Sequence, residues 1–341
     1  MASARSEHVG SSQAAGDFLK IQRDIAHGHA LVAGDQWAVM TVTGPDRLMW
    51  LNSLITQDVL SLAPGQTVES LLLNPQGRIE HAFFVTDDGI TTWLLVPFDY
   101  IDALEAWLTS MVFRMDVVIE RPLGYEVVLA TDHRLLVSLE SSVVFQDPWP
   151  RVSEGSVGYA EGTHPGEKWK LYSAVVGKEV FEGFYLPIVD SLYLEGLSVA
   201  AARPAMNDVD GKTLPHELDW LRTAVHLAKG CYRGQETVAK VHNLGHPPRR
   251  LTLLHLDGSE SVMPSLGDEV RLGEKSVGHV TRAAWHYELG PVALALLKRM
   301  TPVEEDLEVV SSEGRIAARQ EVIVPVDAGA TRDVPKLGRI V

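Results

Sequence analysis

Residues 229–250 read KGCYRGQETVAKVHNLGHPPRR and hold the only cysteine among 341 residues. Upstream, Pro215 suits the first turn of a helix, and Leu214, Leu218, Leu221 and Val225 form one apolar stripe widened by Trp220 and Leu227. Lys229 and Gly230 stand where a helix prefers a cation and a stop. Gly234-Gln235-Glu236 opens a second short helix running to about Val241. Cys231 would then sit near a helix N-terminus, where unpaired N–H groups favour an anion. From Leu221 to Arg250 the bases are Arg222, Lys229, Arg233, Lys240, Arg249 and Arg250, and the only acid is Glu236. This stretch therefore carries about +5 within a chain of net charge −15. Both features favour thiolate over thiol. A structural helix end with a solvated basic face has the same pattern, so spacing alone leaves Cys231 either a reactive thiol or an inert small residue.

Working outward, the composition is that of a globular protein, 45% hydrophobic and 22% charged. The length calls for two or three domains. The opening MASARSEHVGSSQAAGD lacks an apolar signal core and reads as disordered. Apolar runs such as Val292–Leu297 are too short to span a bilayer, which points to a cytoplasmic protein. One cysteine allows no internal disulfide and cannot by itself supply the thiolates of an iron–sulfur cluster. The negative balance argues against broad nucleic-acid binding, although a local basic patch would suit a small anion.

Residues 37–45 alternate as a strand, and Asp46 is placed to cap a helix carrying Leu48, Leu51 and Leu54. Strands follow at 68–75, Arg78–Thr86 and Thr91–Val96, with Asp-Asp-Gly as a hairpin turn. A helix over 99–112 carries Leu104, Trp107, Leu108 and Met111 on one face. This order predicts an α+β unit with an antiparallel sheet. Further strands are predicted at Glu126–Ala130, Arg134–Leu139, Lys170–Val175 and Val180–Phe184, with Ser141–Gly166 as a long loop and a helix over 188–200. Leu251–Leu256, Glu269–Leu272, Val277–Ala283 and Ala293–Lys298 predict a small all-β barrel or sandwich. His242 and His246 are four apart, but Gly245 and Pro247-Pro248 oppose a helix that would aim both at zinc. Asn74-Pro75-Gln76-Gly77-Arg78 reads most simply as a turn.

The quoted segment resembles the signature of the YgfZ family of folate-binding proteins, K-G-C-[FY]-x-G-Q-E, through Lys229, Gly230, Cys231, Tyr232, Gly234, Gln235 and Glu236. GPDRLMWLNSLITQDVLSLAPGQ and LLLNPQGRI look like that family's N-terminal segments. VGHVTRAAWHYELGPVALALLKR resembles its C-terminal barrel and that of the related glycine-cleavage T-protein (GcvT), so the likeness spans about residues 18–325. It implies a three-domain ring around a central channel. The boundaries expected are a disordered 1–17, a folate-binding α+β domain over 18–120, a second over 121–249, a β-barrel over 250–326 and a tail over 327–341.

The resemblance further implies tetrahydrofolate, or a one-carbon derivative of it, as cofactor. It also implies a role in iron–sulfur cluster assembly or repair, serving enzymes that include tRNA-modifying ones. Cys231 inherits the role of functional thiol, with an iron–sulfur cluster held transiently alongside a partner's ligands. Partners are then folate and iron–sulfur client or assembly proteins. A pterin needs an apolar slot with a few polar groups, and its glutamate tail needs Arg or Lys. Arg203, Lys240, Arg249 and Arg250 are the candidates for these contacts, with Asn74 and Arg78 from the first domain. The family often has Arg where this chain has Lys240, which keeps charge but not bidentate recognition.

An aminomethyltransferase of the T-protein type is the alternative. There the comparable stretch is Gly-Ile-Ile-Asp-Asp; here it is Gly77-Arg78-Ile79-Glu80-His81, with Glu80 as the one remaining carboxylate. A scaffold that has lost folate is a further alternative.

Overall fold

Alternating apolar residues and short polar turns sort the chain into two sheets and a barrel. The computed structural model describes residues 12–137, 139–182, 187–259 and 261–331. Helix α1 (Ser12–Ala26) leads to β1 (Leu31–Ala33), β2 (Trp37–Thr43) and α2 (Arg47–Leu54). The meander β3 (Thr67–Leu73), β4 (Ile79–Asp87) and β5 (Thr92–Pro97) follows, then α3 (Ile101–Ser110) and β6 (Val118–Glu120). The first sheet has the order β3-β4-β5-β2-β6 and is antiparallel throughout. One face packs Leu72, Phe83, Val85 and Leu94 against Trp50 and Leu51 of α2 and Leu104 and Leu108 of α3. The other face sends Leu71, Leu73, Phe84 and Leu95 into a larger core shared with the rest of the molecule. Burial on both faces explains why β3 to β5 are nearly continuous apolar runs. Asp46 does not cap α2: its carboxylate accepts instead from the Asp116 N–H at 2.9 Å, tying the loop before β6 to the start of the helix.

The second sheet contains β7 (Tyr125–Ala130), α4 (Arg134–Val137), β8 (Ser141–Gln146), β9 (Tyr172–Gly177), α5 (Lys178–Glu182) and β10 (Ile188–Val189) in its connectivity. Its order is β10-β1-β7-β9-β8, antiparallel except for the parallel pair β1 and β10. Strand β1, early in the chain, thus belongs to this second sheet. The strand expected at Arg134–Leu139 is replaced by helix α4, because Asp132 accepts from the Arg134 N–H and side chain and turns the chain there. The strand falls instead on Ser141–Gln146, inside the expected loop, where Val143 and Phe145 alternate into the core. The expected strand Val180–Phe184 is helix α5 up to Glu182, and residues 183–184 lie outside the described residues.

After β10, a 3₁₀ turn (Ser191–Leu194) runs into α6 (Glu195–Ala200). The long helix expected from Pro215 breaks into a 3₁₀ turn (Pro215–Leu218) and α7 (Leu221–Ala224), because Asp219 takes a left-handed φ of 53°. Lys229 therefore lies outside any helix. Helix α8 (Gln235–Leu244) opens where the sequence predicts. Strands β11 (Arg249–Leu256), β12 (Glu269–Leu272), β13 (Lys275–His286), β14 (Gly290–Lys298), β15 (Leu307–Ser311) and β16 (Gly314–Val322) close a barrel in the order β11-β14-β13-β12-β15-β16. Leu254, Val270, Ala295, Leu297 and Val309 fill it, while Leu251, Leu253, Leu294 and Leu296 face the large shared core.

At the N-terminus, α1 begins at Ser12, so the expected disorder does not hold for residues 12–17; residues 1–11 lie outside the described ones. Gln22 of α1 bonds the Trp285 carbonyl and the Tyr287 N–H of the barrel. Of the expected tail, the Ala328 carbonyl bonds His246 Nδ1 just past α8 and the Thr331 hydroxyl donates to the His242 carbonyl within α8, and residues 332–341 lie outside the described ones. No described helix is long and apolar enough to cross a membrane.

A buried titratable cluster sits where the Pro215 helix breaks. Asp219 accepts from the Tyr159 N–H at 2.6 Å with one oxygen. Its other oxygen is buried without a hydrogen-bond partner, 3.8 Å from an equally unpartnered His164 Nε2. Burial raises the Asp219 carboxyl to about 7 and lowers His164, His216 and His81 to about 4. The histidines are neutral when folded and charged when unfolded between pH 4 and 6.5, so they remove stability as pH falls through that window. Asp219 works in the opposite sense: the folded state keeps a proton that the unfolded chain releases, so its penalty grows as pH rises from about 4 to 7. Asp219→Asn keeps the Tyr159 acceptor and tolerates the left-handed backbone. It is expected to stabilise the protein by up to about 4 kcal/mol at pH 8, with the gain shrinking toward zero at pH 4, in urea unfolding. Equal destabilisation at both pH values would show that the loss is independent of the charge and that burial does not hold the Asp219 proton.

Candidate functional site

The cysteine loop is held from below by its neighbours. Lys229 Nζ donates to the carbonyls of Asn52, Ile55 and Gln57 at 2.7, 2.8 and 2.7 Å. An ammonium has three protons, and all are used. Asn52 lies in α2 and Ile55 follows its last turn, so the charge also meets the negative end of that helix. The Tyr232 ring, buried, lies 5.7 Å from the same nitrogen. Burial pulls Lys229 down to about 8, against the pull of Asp58. Arg233 pairs with Glu80 at 2.8 Å and lies over Trp107.

Gly234 has φ 85°, and a Cβ there would stand 2.6 Å from the Asn74 carbonyl and 2.9 Å from Gly77 Cα. Asn74 in turn closes its own turn by accepting from the Gln76 and Arg78 N–H groups. The two turns thus pack backbone against backbone. Gln235 reaches the Lys229 and Gly230 carbonyls at 3.4 and 3.5 Å. Gly230, Cys231 and Glu236 are exposed. Lys229 and Gly234 fix the loop to the first sheet and its helix, Gln235 braces it from within, and Cys231 is left exposed.

Separately, a cavity of about 640 Å³ opens among the first sheet, the second sheet, the 191–207 segment and the barrel. Trp37, Phe84, Tyr100, Trp169 and Trp220 supply aromatic walls. At its inner end Arg203 donates to Asp147 at 2.9 Å and to Glu69 at 2.6 Å, with its guanidinium over Phe84 and Trp149. Glu69 also accepts from Trp220 Nε1 and the Thr223 hydroxyl, and Asp147 from Trp169 Nε1. Burial raises the Glu69 carboxyl, against the pull of Arg203. Burial alone would lower Arg203, but Asp147 and Glu69 hold it above its ordinary value. Arg282 bonds Asp208, Glu195 and Ser198. The indole N–H of Trp37, in the wall, is buried without a partner. Aromatic faces with nearby carboxylate acceptors suit a flat heterocycle bearing N–H groups on its edge.

Of the residues expected to contact folate, only Arg203 lines this cavity. Arg249 is bound to Asp210 at 2.6 Å and Glu217 at 2.8 Å. Arg250, fully buried at one end of the barrel, bonds Thr252, the Thr301 carbonyl and Gln320, and burial lowers it to about 10. Arg78 reaches the Gly211 carbonyl, Asn74 is spent on its turn, and Lys240 is exposed on α8. Nor do the six bases of the cysteine stretch converge on Cys231: Arg222 bonds the Trp149 carbonyl, and Arg233, Arg249 and Arg250 are engaged as described. His242 and His246 bond Tyr159 and the Ala328 carbonyl, and the described residues contain no cluster suited to a metal. Glu69, Asp147, Trp169 and Arg282 were not anticipated. The readable signal was a carboxylate inside the apolar strand VESLLL, since a charge in such a run must find a partner.

No protein-family model matches the chain. The tRNA-modifying protein YgfZ of Klebsiella pneumoniae is 24% identical over 265 residues, covering 71% of this chain and 76% of that protein. The iron–sulfur cluster assembly factor IBA57 homolog of Mycosarcoma maydis, a mitochondrial protein, is 26% identical over 241 residues, covering 63% and 54%. The crystal structure of the glycine cleavage system aminomethyltransferase T from Bartonella henselae superposes with a TM-score of 0.69 at 17% identity, over 92% of this chain and 90% of that one.

Proposed function

The chain is a YgfZ-family protein on the aminomethyltransferase fold, and from that premise we propose that it is a tetrahydrofolate-binding accessory factor for iron–sulfur proteins, tRNA-modifying enzymes among them. The observation that carries this reading is the separation of two sites. One is an aromatic cavity of about 640 Å³, within the range of small-molecule pockets. The other is an exposed cysteine on a loop that Lys229 and Gly234 pin in place. In the cavity, Trp37, Phe84 and Trp169 would hold a pterin by its faces, and Glu195 would accept from its N–H edge. Bound tetrahydrofolate would supply one-carbon carrier chemistry. Outside it, Cys231 would meet a partner's iron or cluster as one ligand among several, since a single thiolate holds no cluster alone.

The transferase alternative asks for a free carboxylate at Glu80. That group is paired with Arg233 and does not line the cavity, which favours the accessory reading. A scaffold without folate is separated from both by thermal shift: tetrahydrofolate at 100 times its Kd should add about 2.7 kcal/mol.

The test is calorimetric titration with tetrahydrofolate of the wild type and Cys231→Ser, alongside iron–sulfur enzyme activities in cells that lack the protein. Equal binding is expected, with cellular activity restored by the wild type alone. Full restoration by the serine variant would remove the thiol from the function.

A further inference from the structure

The charges lining the cavity are arranged against an anion. Five lining residues are acids, Asp35, Glu69, Asp99, Asp147 and Glu195, and two are bases, Arg203 and Arg282. No lysine or histidine lines it among the described residues. Both guanidiniums are already committed. Arg203 lies between Glu69 and Asp147, and Arg282 between Asp208 and Glu195. Asp35 and Asp99 are exposed at the mouth beside Phe98 and Leu192, with Ser191 donating to Asp35 at 3.1 Å. Even with Glu69 protonated, the lining keeps an excess of two negative charges.

We propose that this cavity recognises a reduced pterin and its aminobenzoyl ring, and has no seat for the glutamate tail, which the acidic mouth disfavours. The inference rests on the folate reading above and deepens it. A pterin edge is rich in N–H donors, which carboxylates accept well. Each added glutamate brings another carboxylate past Asp35 and Asp99. No free cation among the described lining residues offsets it, so the short-tailed form of the cofactor is the one selected.

The test uses the full-length protein and three ligands that share the ring system: tetrahydropteroate, tetrahydrofolate with one glutamate, and its triglutamate. Binding is measured by calorimetry at low salt and at about 0.5 M salt, where the Debye length falls to a few ångströms. At low salt affinity should fall along the series, by roughly four- to eightfold from first to last, the size of two or three charge repulsions across ~10 Å of water. High salt should narrow the spread. The double variant Asp35→Asn, Asp99→Asn should narrow it as well; both positions are exposed, and asparagine keeps the acceptor for Ser191. Equal or rising affinity with tail length overturns the proposal, as does weakening of the triglutamate by salt. Failure of all three ligands to bind overturns the folate reading itself, and the inference with it.

Discussion

Arg203→Met is expected to destabilise the protein by about 3–5 kcal/mol, because it removes the only cation from between two buried carboxylates. Glu69 and Asp147 would then be left to repel each other in the wall of the cavity, and Trp149 and Phe84 would lose the guanidinium that lies over them. The loss should shrink as pH falls, since protonating Glu69, whose carboxyl burial already raises, relieves the repulsion. Adding Glu69→Gln and Asp147→Asn to the same chain should recover most of it. The amides still accept from Trp220 and Trp169 and carry no charge. Urea unfolding at pH 6 and pH 8 reads these effects directly. A loss under about 1 kcal/mol, independent of pH, would mean that the network is far wetter than its burial indicates.

The order of elements was legible because the strands are short alternations or apolar runs and many of the turns between them carry Gly, Pro or Asp. Where the reading failed, a single polar side chain redirected an apolar run. Asp132 wound Arg134–Val137 into a helical turn, and Asp219 broke the helix after Pro215. The site was legible in a different sense. The residues of KGCYRGQE could be picked out, but not what each one touches. Lys229 was expected to cap its own helix and instead fastens the end of α2, with partners more than 170 residues away in the chain. Arg249 and Arg250 were read as one basic patch. On a strand, neighbouring side chains point to opposite faces, so one goes to Asp210 and Glu217 and the other into the barrel wall. Proximity in sequence set their net charge but not their direction. The cavity was illegible for a related reason: Glu69, Asp147, Arg203 and Arg282 come from four separated segments that only the tertiary fold brings together.

Two glycines of the cysteine loop should respond in opposite ways to the same substitution. Gly234→Ala places a Cβ in the left-handed region, which costs about 1–2 kcal/mol, and drives it to 2.6 Å from a backbone carbonyl that cannot swing aside. A total loss of about 2–4 kcal/mol is expected, with faster hydrogen exchange over residues 229–240 as the loop lifts from the Asn74 turn. Gly230→Ala meets no atom within 4 Å and has no positive φ, so it should change stability by less than about 0.5 kcal/mol. Thermal melts decide this half. Restoration of iron–sulfur enzyme activity in cells decides the other. If Gly230→Ala melts like the wild type yet fails in cells, the exposed backbone beside Cys231 is itself a contact surface, and a methyl group there blocks a partner's approach. If it restores activity fully, the glycine is dispensable and only the thiol and its supports matter. Loss of stability on Gly230→Ala would contradict the open surroundings of that position and the arrangement of the loop described above.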